Sequence, residues 1–265
     1  MISLPSLRQS REHGDDRNER ISAAVRRTLD IIFALFGLSC LAPVFLVVAF
    51  AIRIEGNGPI FFSQLRIGQN GRPFRLYKFR KFTQTSCPGN NDPVTLANDR
   101  RMTQVGRVLS RTKLDELPQL WNVLIADMSV VGPRPETFNF SHCFSSSSFE
   151  IVLRYRPGLF GPNQTFFRNE AALYPFDADP VEFYCNVLFP LKARVDLAYF
   201  PHRTFWMDLH WIIQGTLSIM NCSALTCNGP NWVENVENWI GRRSRYVGRG
   251  ELDGAHAITT KGAEA

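Results

Sequence analysis

The sequence lacks a cysteine framework and the motifs of the common zinc-binding and nucleic-acid-binding classes. Its six cysteines are scattered over 265 residues, which argues against a disulfide framework and favours a reducing compartment. Cys222 and Cys227 have no neighbouring His or Cys pair at zinc spacing, so we expect no zinc site. Because no helix-turn-helix, zinc-finger or RNA-recognition pattern is present, nucleic acid is not an expected partner.

Positive charge is in excess, with a net charge of +6 and a sequence pI near 9.2. Such an excess suits an anionic membrane surface or anionic substrates. Residues 1–20 are charged and aperiodic, so we expect a disordered tail and no signal peptide. Residues 221–265 are mostly polar and are predicted to form a peripheral C-terminal tail.

Residues 29–52 form a nearly unbroken apolar run, with Asp30 as its only charge and Pro43 near its middle. The run is long enough to cross a bilayer core, which needs about 20 residues. Arginines flank it on both sides, whereas a conventional span usually leaves one flank poorer in positive charge. We therefore predict a re-entrant membrane helix over residues 21–54 that breaks at Pro43 and returns to the same side. A kinked transmembrane helix is the alternative.

A β-hairpin is predicted next, because an Asn-Gly pair at residues 70–71 separates two stretches rich in aromatic and branched residues. The hairpin and the residues just after it are strongly basic, carrying Arg66, Arg72, Arg75, Lys78, Arg80 and Lys81. This pattern fits equally a solvated charged face and a surface that grips lipid phosphates.

Asp115 and Glu116 are adjacent carboxylates in a stretch rich in Arg and Lys, residues 99–135. Acids among cations suit chemistry on a phosphate, because the cations hold the anion while a carboxylate attacks it or binds a metal. Residues 102–124 are predicted to form two helices, with the acidic pair near the start of the second. The helix dipole there favours an ionised carboxylate and a bound phosphate. A salt-bridged helix face is the structural alternative.

Six motifs in register resemble the bacterial sugar transferases that act on polyprenyl phosphate, the monotopic phosphoglycosyl transferases. They are RTLDIIFALFGLSCLAPVFLVVAFAIRI (27–54), GPIFFSQLRIGQNGRPFRLYKFR (58–80), DRRMTQVGRVL (99–109), LDELPQLWNVL (114–124), DMSVVGPRP (127–135) and RPGLFGPNQ (156–164). A distal pattern follows, with Tyr184, Pro190, Lys192, Asp196, Tyr199 and Asp208. The resemblance covers residues 27–220.

The implied fold is α+β and mostly helical. It combines the re-entrant membrane hairpin with a cytosolic catalytic domain over residues 55–220, which holds a small β-hairpin and interfacial amphipathic helices. One apolar stripe within residues 188–220 fits either a core helix or an interfacial one. Its members are Phe205, Trp206, Leu209, Ile212, Ile213, Leu217 and Met220.

The resemblance implies transfer of a phosphosugar from a UDP-sugar to polyprenyl (undecaprenyl) phosphate, with release of UMP. The implied route has two steps, uses Mg²⁺ and initiates the synthesis of a surface polysaccharide or glycoconjugate. Asp115 is the implied nucleophile and Glu116 its partner, and both are candidate metal ligands. The expected phosphate or nucleotide contacts are Lys78, Arg80, Arg111 and Arg134. The implied location is the cytoplasmic face of a bacterial inner membrane, and a homo-oligomer is left open.

The chain departs from the family pattern at a few positions. Ser110 stands where Arg is common, and Arg111 next to it is a candidate substitute. Lys81 and Phe82 replace the usual Ser-Met, and Ala126 replaces a common Gly. Two competing hypotheses are a non-catalytic membrane adaptor of glycan assembly and a hydrolase of nucleotide-sugar diphosphates. The sequence does not choose the sugar.

Overall fold

The computed structural model describes residues 6–83, 101–140, 151–175, 179–219 and 232–244. The fold is α+β and mostly helical, with two small sheets. The helices are α1 Ser6–Cys40, α2 Ala42–Glu55, α3 Gln104–Thr112, α4 Gln119–Leu124, α5 Pro162–Phe166, α6 Pro180–Phe183, α7 Phe189–Tyr199, α8 Phe205–Ile219 and α9 Trp232–Ser244. The strands are β1 Phe61–Ile67, β2 Pro73–Phe79, β3 Ser129–Val131 and β4 Gly158–Phe160.

The apolar run is broken close to Pro43, as the sequence predicts. α1 ends at Cys40 and α2 begins at Ala42, which places Pro43 in the first turn of α2. Proline is tolerated there because the first helical N–H groups have no partner within the helix, but it cannot extend α1. No single described helix is long and apolar enough to cross a membrane, although residues 22–40 and 42–55 together meet that test with a bend of 59°. The re-entrant topology therefore stays a prediction.

Polar contacts attach α1 to the rest of the protein. The buried carboxylate of Asp30 accepts hydrogen bonds from the Ser129 hydroxyl and the Val130 N–H, both at 2.8 Å. The Arg27 guanidinium donates to the carbonyls of Val123 and Leu124, at 2.7 and 2.8 Å. These bonds satisfy carbonyls in the last turn of α4, where that of Val123 also accepts from the Ala126 N–H. The only charge inside the apolar run thus has a structural role.

Both predicted tails contain helix. α1 begins at Ser6, so the backbone of residues 6–20 is helical. This run lacks proline and is rich in Arg and Glu, which favour helix. α9 lies within the predicted peripheral tail, yet Val236 and Ile240 are buried in the main core. These two apolar residues lie one helical turn apart and give α9 a buried face. Residues 1–5, 221–231 and 245–265 lie outside the described part.

The predicted β-hairpin is confirmed. β1 and β2 pair antiparallel, with Phe61 opposite Phe79. Asn70 and Gly71 form the turn with φ angles of 57° and 74°, the left-handed region that Asn and Gly adopt most easily.

A second, parallel pair joins β3 to β4. The backbones approach so closely that a Cβ atom on Gly158 would lie 2.0 Å from the Gly132 nitrogen. This contact holds the Pro-Arg-Pro turn at residues 133–135, which directly follows β3.

Two cores organise the molecule. The larger one is centred on α7 and α8 and includes the fully buried Trp211. The smaller one packs Val48 and Ile52 of α2 against Phe79 of β2 and Leu109 of α3. The buried face of α8 is formed by Asp208, Trp211, Gly215 and Ser218, whereas the described members of the predicted apolar stripe are exposed or half-buried, and Trp206 is 74% exposed. The stripe is therefore not the core face of this helix, and its interfacial role stays a prediction.

Candidate functional site

The acidic pair lies in a short turn between α3 and α4. Residues 114–116 form one turn of 3-10 helix, and Lys113 before it adopts a left-handed conformation with φ of 58°. This reversal directs the pair inward, so that Asp115 is only 2% exposed. The acids precede α4, as predicted, but α4 begins only at Gln119 and is six residues long.

Glu116 is surrounded by cations. Its Oε1 atom lies 2.8 Å from the Lys78 ammonium and 3.8 Å from the Arg134 guanidinium. Burial acts to raise the pKa of Glu116, but Lys78, Lys113 and Arg134 outweigh it and hold that pKa well below its usual range. Glu116 is therefore ionised at neutral pH.

The pKa values of the cations in this cluster shift in different directions. Burial lowers the pKa of Lys78 to about 8, against the attraction of Glu116 and Asp115. The attraction of Glu116 raises the pKa of Lys113, but burial and repulsion from Arg134 outweigh it and the net shift is downward. Burial acts to lower the pKa of Arg134, but the surrounding carboxylates outweigh it and the net shift is upward. Arg134 is therefore the cation that stays charged at every relevant pH.

Asp115 has two unequal oxygens. Its Oδ2 atom lies 3.4 Å from the Lys81 ammonium. Its Oδ1 atom is buried and finds no hydrogen-bond partner among the described residues. Burying an oxygen without a hydrogen-bond partner costs free energy unless a ligand or a water molecule supplies that partner. The Oδ1 atom of Asp115 is thus available for chemistry on a ligand.

The charges of the cluster favour an anionic ligand. Two carboxylates, Asp115 and Glu116, face four cations, Lys78, Lys81, Lys113 and Arg134, so these six groups alone carry a charge of +2 when all are ionised. A phosphate or diphosphate would offset this excess.

The structure brings together only part of the predicted binding set. Lys78 and Arg134 meet at Glu116. Arg80 instead donates to the carbonyls of Asn57, Ile52 and Gly56, where it ties the end of α2 to the chain that follows. The side chain of Arg111 is exposed, and its carbonyl accepts a hydrogen bond from Arg168 at 2.9 Å.

Three cations of the site were missed in the sequence. Lys113 lies two residues before Asp115 and Lys81 lies 34 residues before it, and only the fold shows that both face the acids. Arg168 follows α5, and its pKa is lowered by burial and raised by Glu116, which places it within electrostatic reach of the acidic pair. Its distance along the chain gave no signal for this proximity.

Part of the distal pattern converges behind the Pro-Arg-Pro turn. A small cavity of about 30 Å³ is bordered by Arg134, Asn163, Lys192 and Asp196. Lys192 pairs with Glu170 at 2.7 Å, while burial raises the pKa of Asp196 well above its usual range. Oδ1 of Asp196 and Oδ1 of Asn163 have no hydrogen-bond partner among the described residues. The cavity has room for about two water molecules, which would satisfy these atoms.

The acidic pair fits a magnesium ion that is shared with a substrate. The described residues contain no group of three or more His, Cys, Asp or Glu side chains that could hold a metal alone. Mg²⁺ is commonly bound through one or two carboxylates together with substrate phosphates. The adjacent carboxylates of Asp115 and Glu116 supply oxygen donors of the kind that Mg²⁺ prefers.

A family model described as bacterial sugar transferase matches residues 21–222. The chain belongs to this family. Among the curated relatives of this sugar transferase chain, a UDP-N-acetylgalactosamine-undecaprenyl-phosphate N-acetylgalactosaminephosphotransferase of Aeromonas hydrophila is 34% identical over 191 residues, 71% of this chain and 42% of the relative. A UDP-glucose:undecaprenyl-phosphate glucose-1-phosphate transferase of Caulobacter vibrioides is 41% identical over 199 residues, 74% and 69% of the two chains.

A third relative, an exopolysaccharide production protein of Rhizobium leguminosarum bv. phaseoli, is 44% identical over 110 residues, 42% of this chain and 55% of the relative. The aligned region spans only 42% of the length of the Aeromonas relative and 38% of that of a Klebsiella pneumoniae relative. The residues that the family model matches include the acidic pair and the Pro-Arg-Pro turn.

Proposed function

We propose that this chain transfers a phosphosugar from a UDP-sugar to polyprenyl (undecaprenyl) phosphate and releases UMP, as the initiating step of surface polysaccharide or glycoconjugate synthesis. The observation that carries the proposal is the buried Asp115, with one unpartnered oxygen inside a cluster of net positive charge. The relatives named for transfer of sugar phosphates to undecaprenyl phosphate support the choice of substrates.

The first step uses the unpartnered Oδ1 of Asp115 as nucleophile. It attacks the phosphorus that carries the sugar, the bond from that phosphorus to the UMP oxygen breaks, and UMP departs with the electron pair. In the second step an oxygen of polyprenyl phosphate attacks the same phosphorus and the Asp115 carboxylate is released. A covalent route suits this pair of substrates, because a water-soluble donor and a lipid acceptor need not bind together.

The other residues of the cluster bind and orient the substrates. Glu116 stays ionised and holds Lys78 and Arg134, so both cations are placed before the substrate arrives. Mg²⁺, when bound, would supply positive charge that offsets the negative charge of the phosphate oxygens. Asp115 and Glu116 are the residues we propose to hold it.

Exposed apolar side chains support a membrane location, which we propose to be the cytoplasmic face of the bacterial inner membrane. Phe36 of α1 and Leu46 and Phe50 of α2 are each exposed on the helices next to the break. Trp121 of α4 and Trp206 of α8 add exposed aromatic side chains. Large exposed apolar surfaces are typical of membrane contact, and Trp is enriched at the interface.

The test is UMP release from a panel of UDP-sugars in nanodiscs with Mg²⁺, with and without polyprenyl phosphate. We expect turnover that requires the lipid and is lost in Asp115→Asn. Release that does not need the lipid would instead support a hydrolase of nucleotide-sugar diphosphates. No release with any sugar, from protein that retains its fold, would contradict the transferase and favour an adaptor.

A further inference from the structure

Lys81 contacts the proposed nucleophile, and it is not among the four phosphate or nucleotide contacts that the family resemblance implies. Its ammonium lies 3.4 Å from Oδ2 of Asp115, and its side chain is 21% exposed. It therefore borders both the buried acid and the solvent from which a substrate would arrive.

The backbone of Lys81 is held against the start of α3. Its carbonyl accepts a hydrogen bond from the Thr103 N–H at 3.0 Å. Gly106 allows this approach, because a Cβ atom there would lie 2.1 Å from the same carbonyl oxygen. The ammonium also lies 5.7 Å from the ring centroid of Phe82, within cation–π range. Lys81 is therefore placed in the absence of substrate.

The pairing of Lys81 with Asp115 leaves hydrogen-bonding capacity unused. A strong charge-assisted N–H···O bond measures about 2.7–2.9 Å, and the 2.8 Å contact of Lys78 with Glu116 falls in this range. The 3.4 Å contact of Lys81 is longer. An ammonium has three donors, so Lys81 can contact Asp115 and a substrate oxygen together.

We propose that Lys81 binds the phosphoryl group that is transferred at Asp115, and this inference rests on the proposed function. Glu116 engages Lys78 and Arg134 on its own side of the cluster. Lys81 lies on the side of Asp115, where the reacting phosphate must come within bonding distance of Oδ1. Lys81 is thus a direct phosphate contact for donor and acceptor in turn.

The experiment measures binding of UDP and of uridine by calorimetry in Mg²⁺-free buffer, without any reaction. In Lys81→Gln we expect the affinity for UDP to fall about 10- to 100-fold, the usual effect of losing a charged hydrogen bond. Uridine binding should not change, and Lys81→Arg should retain most of the UDP affinity. The control is Arg154→Gln, an exposed cation whose carbonyl contacts Gln69 at the far end of the hairpin, and it should bind UDP as the wild type does.

A second variant separates binding from a purely structural role. Asp115→Asn removes the carboxylate that competes for Lys81, so UDP should bind more tightly, and combining it with Lys81→Gln should abolish that gain. If Lys81 only holds Asp115 in place, Lys81→Gln lowers the rate of UMP release and leaves UDP affinity within twofold of the wild type. That result, or wild-type protein that does not bind UDP, overturns the inference. UDP binding that depends on Lys81 without any UMP release would contradict the proposed function alone.

Discussion

The low pKa of Lys78 predicts a loss of activity at alkaline pH. Burial lowers that pKa to about 8, and the ammonium is needed to hold Glu116 and to bind phosphate. Above pH 8 the protonated fraction falls about tenfold per pH unit, so kcat/KM for the UDP-sugar should be roughly tenfold lower at pH 9 than its plateau. The assay is UMP release under lipid-saturated conditions between pH 6.5 and 9.5.

Stability should change in the opposite direction, which separates the two effects. The pKa of Lys78 is about 8 in the folded protein and 10.5 in its reference state. The unfolded chain therefore binds more protons between these values, and the Lys78 contribution to the free energy of unfolding rises with pH across that window. Lys78→Arg keeps its charge throughout and should lack the alkaline fall in kcat/KM. A flat wild-type profile up to pH 9.5, or the same fall in Lys78→Arg, would refute the reasoning.

Three further predictions concern stability, measured by denaturant unfolding. Asp30→Ala removes two hydrogen bonds to a buried carboxylate and should lower the free energy of unfolding by about 3–5 kcal/mol. A decrease below about 1 kcal/mol would show that these bonds do not hold α1. Ala126→Gly should raise the free energy of unfolding by about 0.5–1 kcal/mol, because Ala126 is exposed and its φ of 73° is a conformation that glycine adopts more easily. An unchanged denaturant midpoint would contradict this. Burial raises the pKa of Asp196, so its contribution to wild-type stability falls as pH rises from 4 through that pKa. Asp196→Asn should lack this decrease in the free energy of unfolding. The same pH dependence in both proteins would show that Asp196 does not cause it.

Some features of the structure were predicted correctly from residues that are neighbours in the chain. The Asn70-Gly71 pair predicted the hairpin, because its turn requires two left-handed residues in succession. Pro43 predicted the break between α1 and α2 for a similarly local reason. The acidic pair was also recognised from the basic residues of its own segment, of which Lys113 and Arg134 lie beside it in the fold.

Tertiary contacts determined what the sequence did not show. Arg80 resembles a phosphate ligand in a basic segment, but three carbonyls at and just after the end of α2 take its donors. α9 resembles part of a polar tail, but its buried face becomes recognisable only against α7. β3 and β4 are short and distant along the chain, so their parallel pairing has no local pattern. Lys81 faces Asp115 only because Gly106 lets its backbone approach α3.

The most direct test of the account is the intact mass of the protein after incubation with Mg²⁺ and a UDP-sugar, in the absence of polyprenyl phosphate. We expect an added mass of one phosphosugar, located by peptide mapping at Asp115, absent from Asp115→Asn and removed when polyprenyl phosphate is supplied. UMP release that requires the lipid and leaves no adduct at any time would contradict Asp115 as a covalent nucleophile.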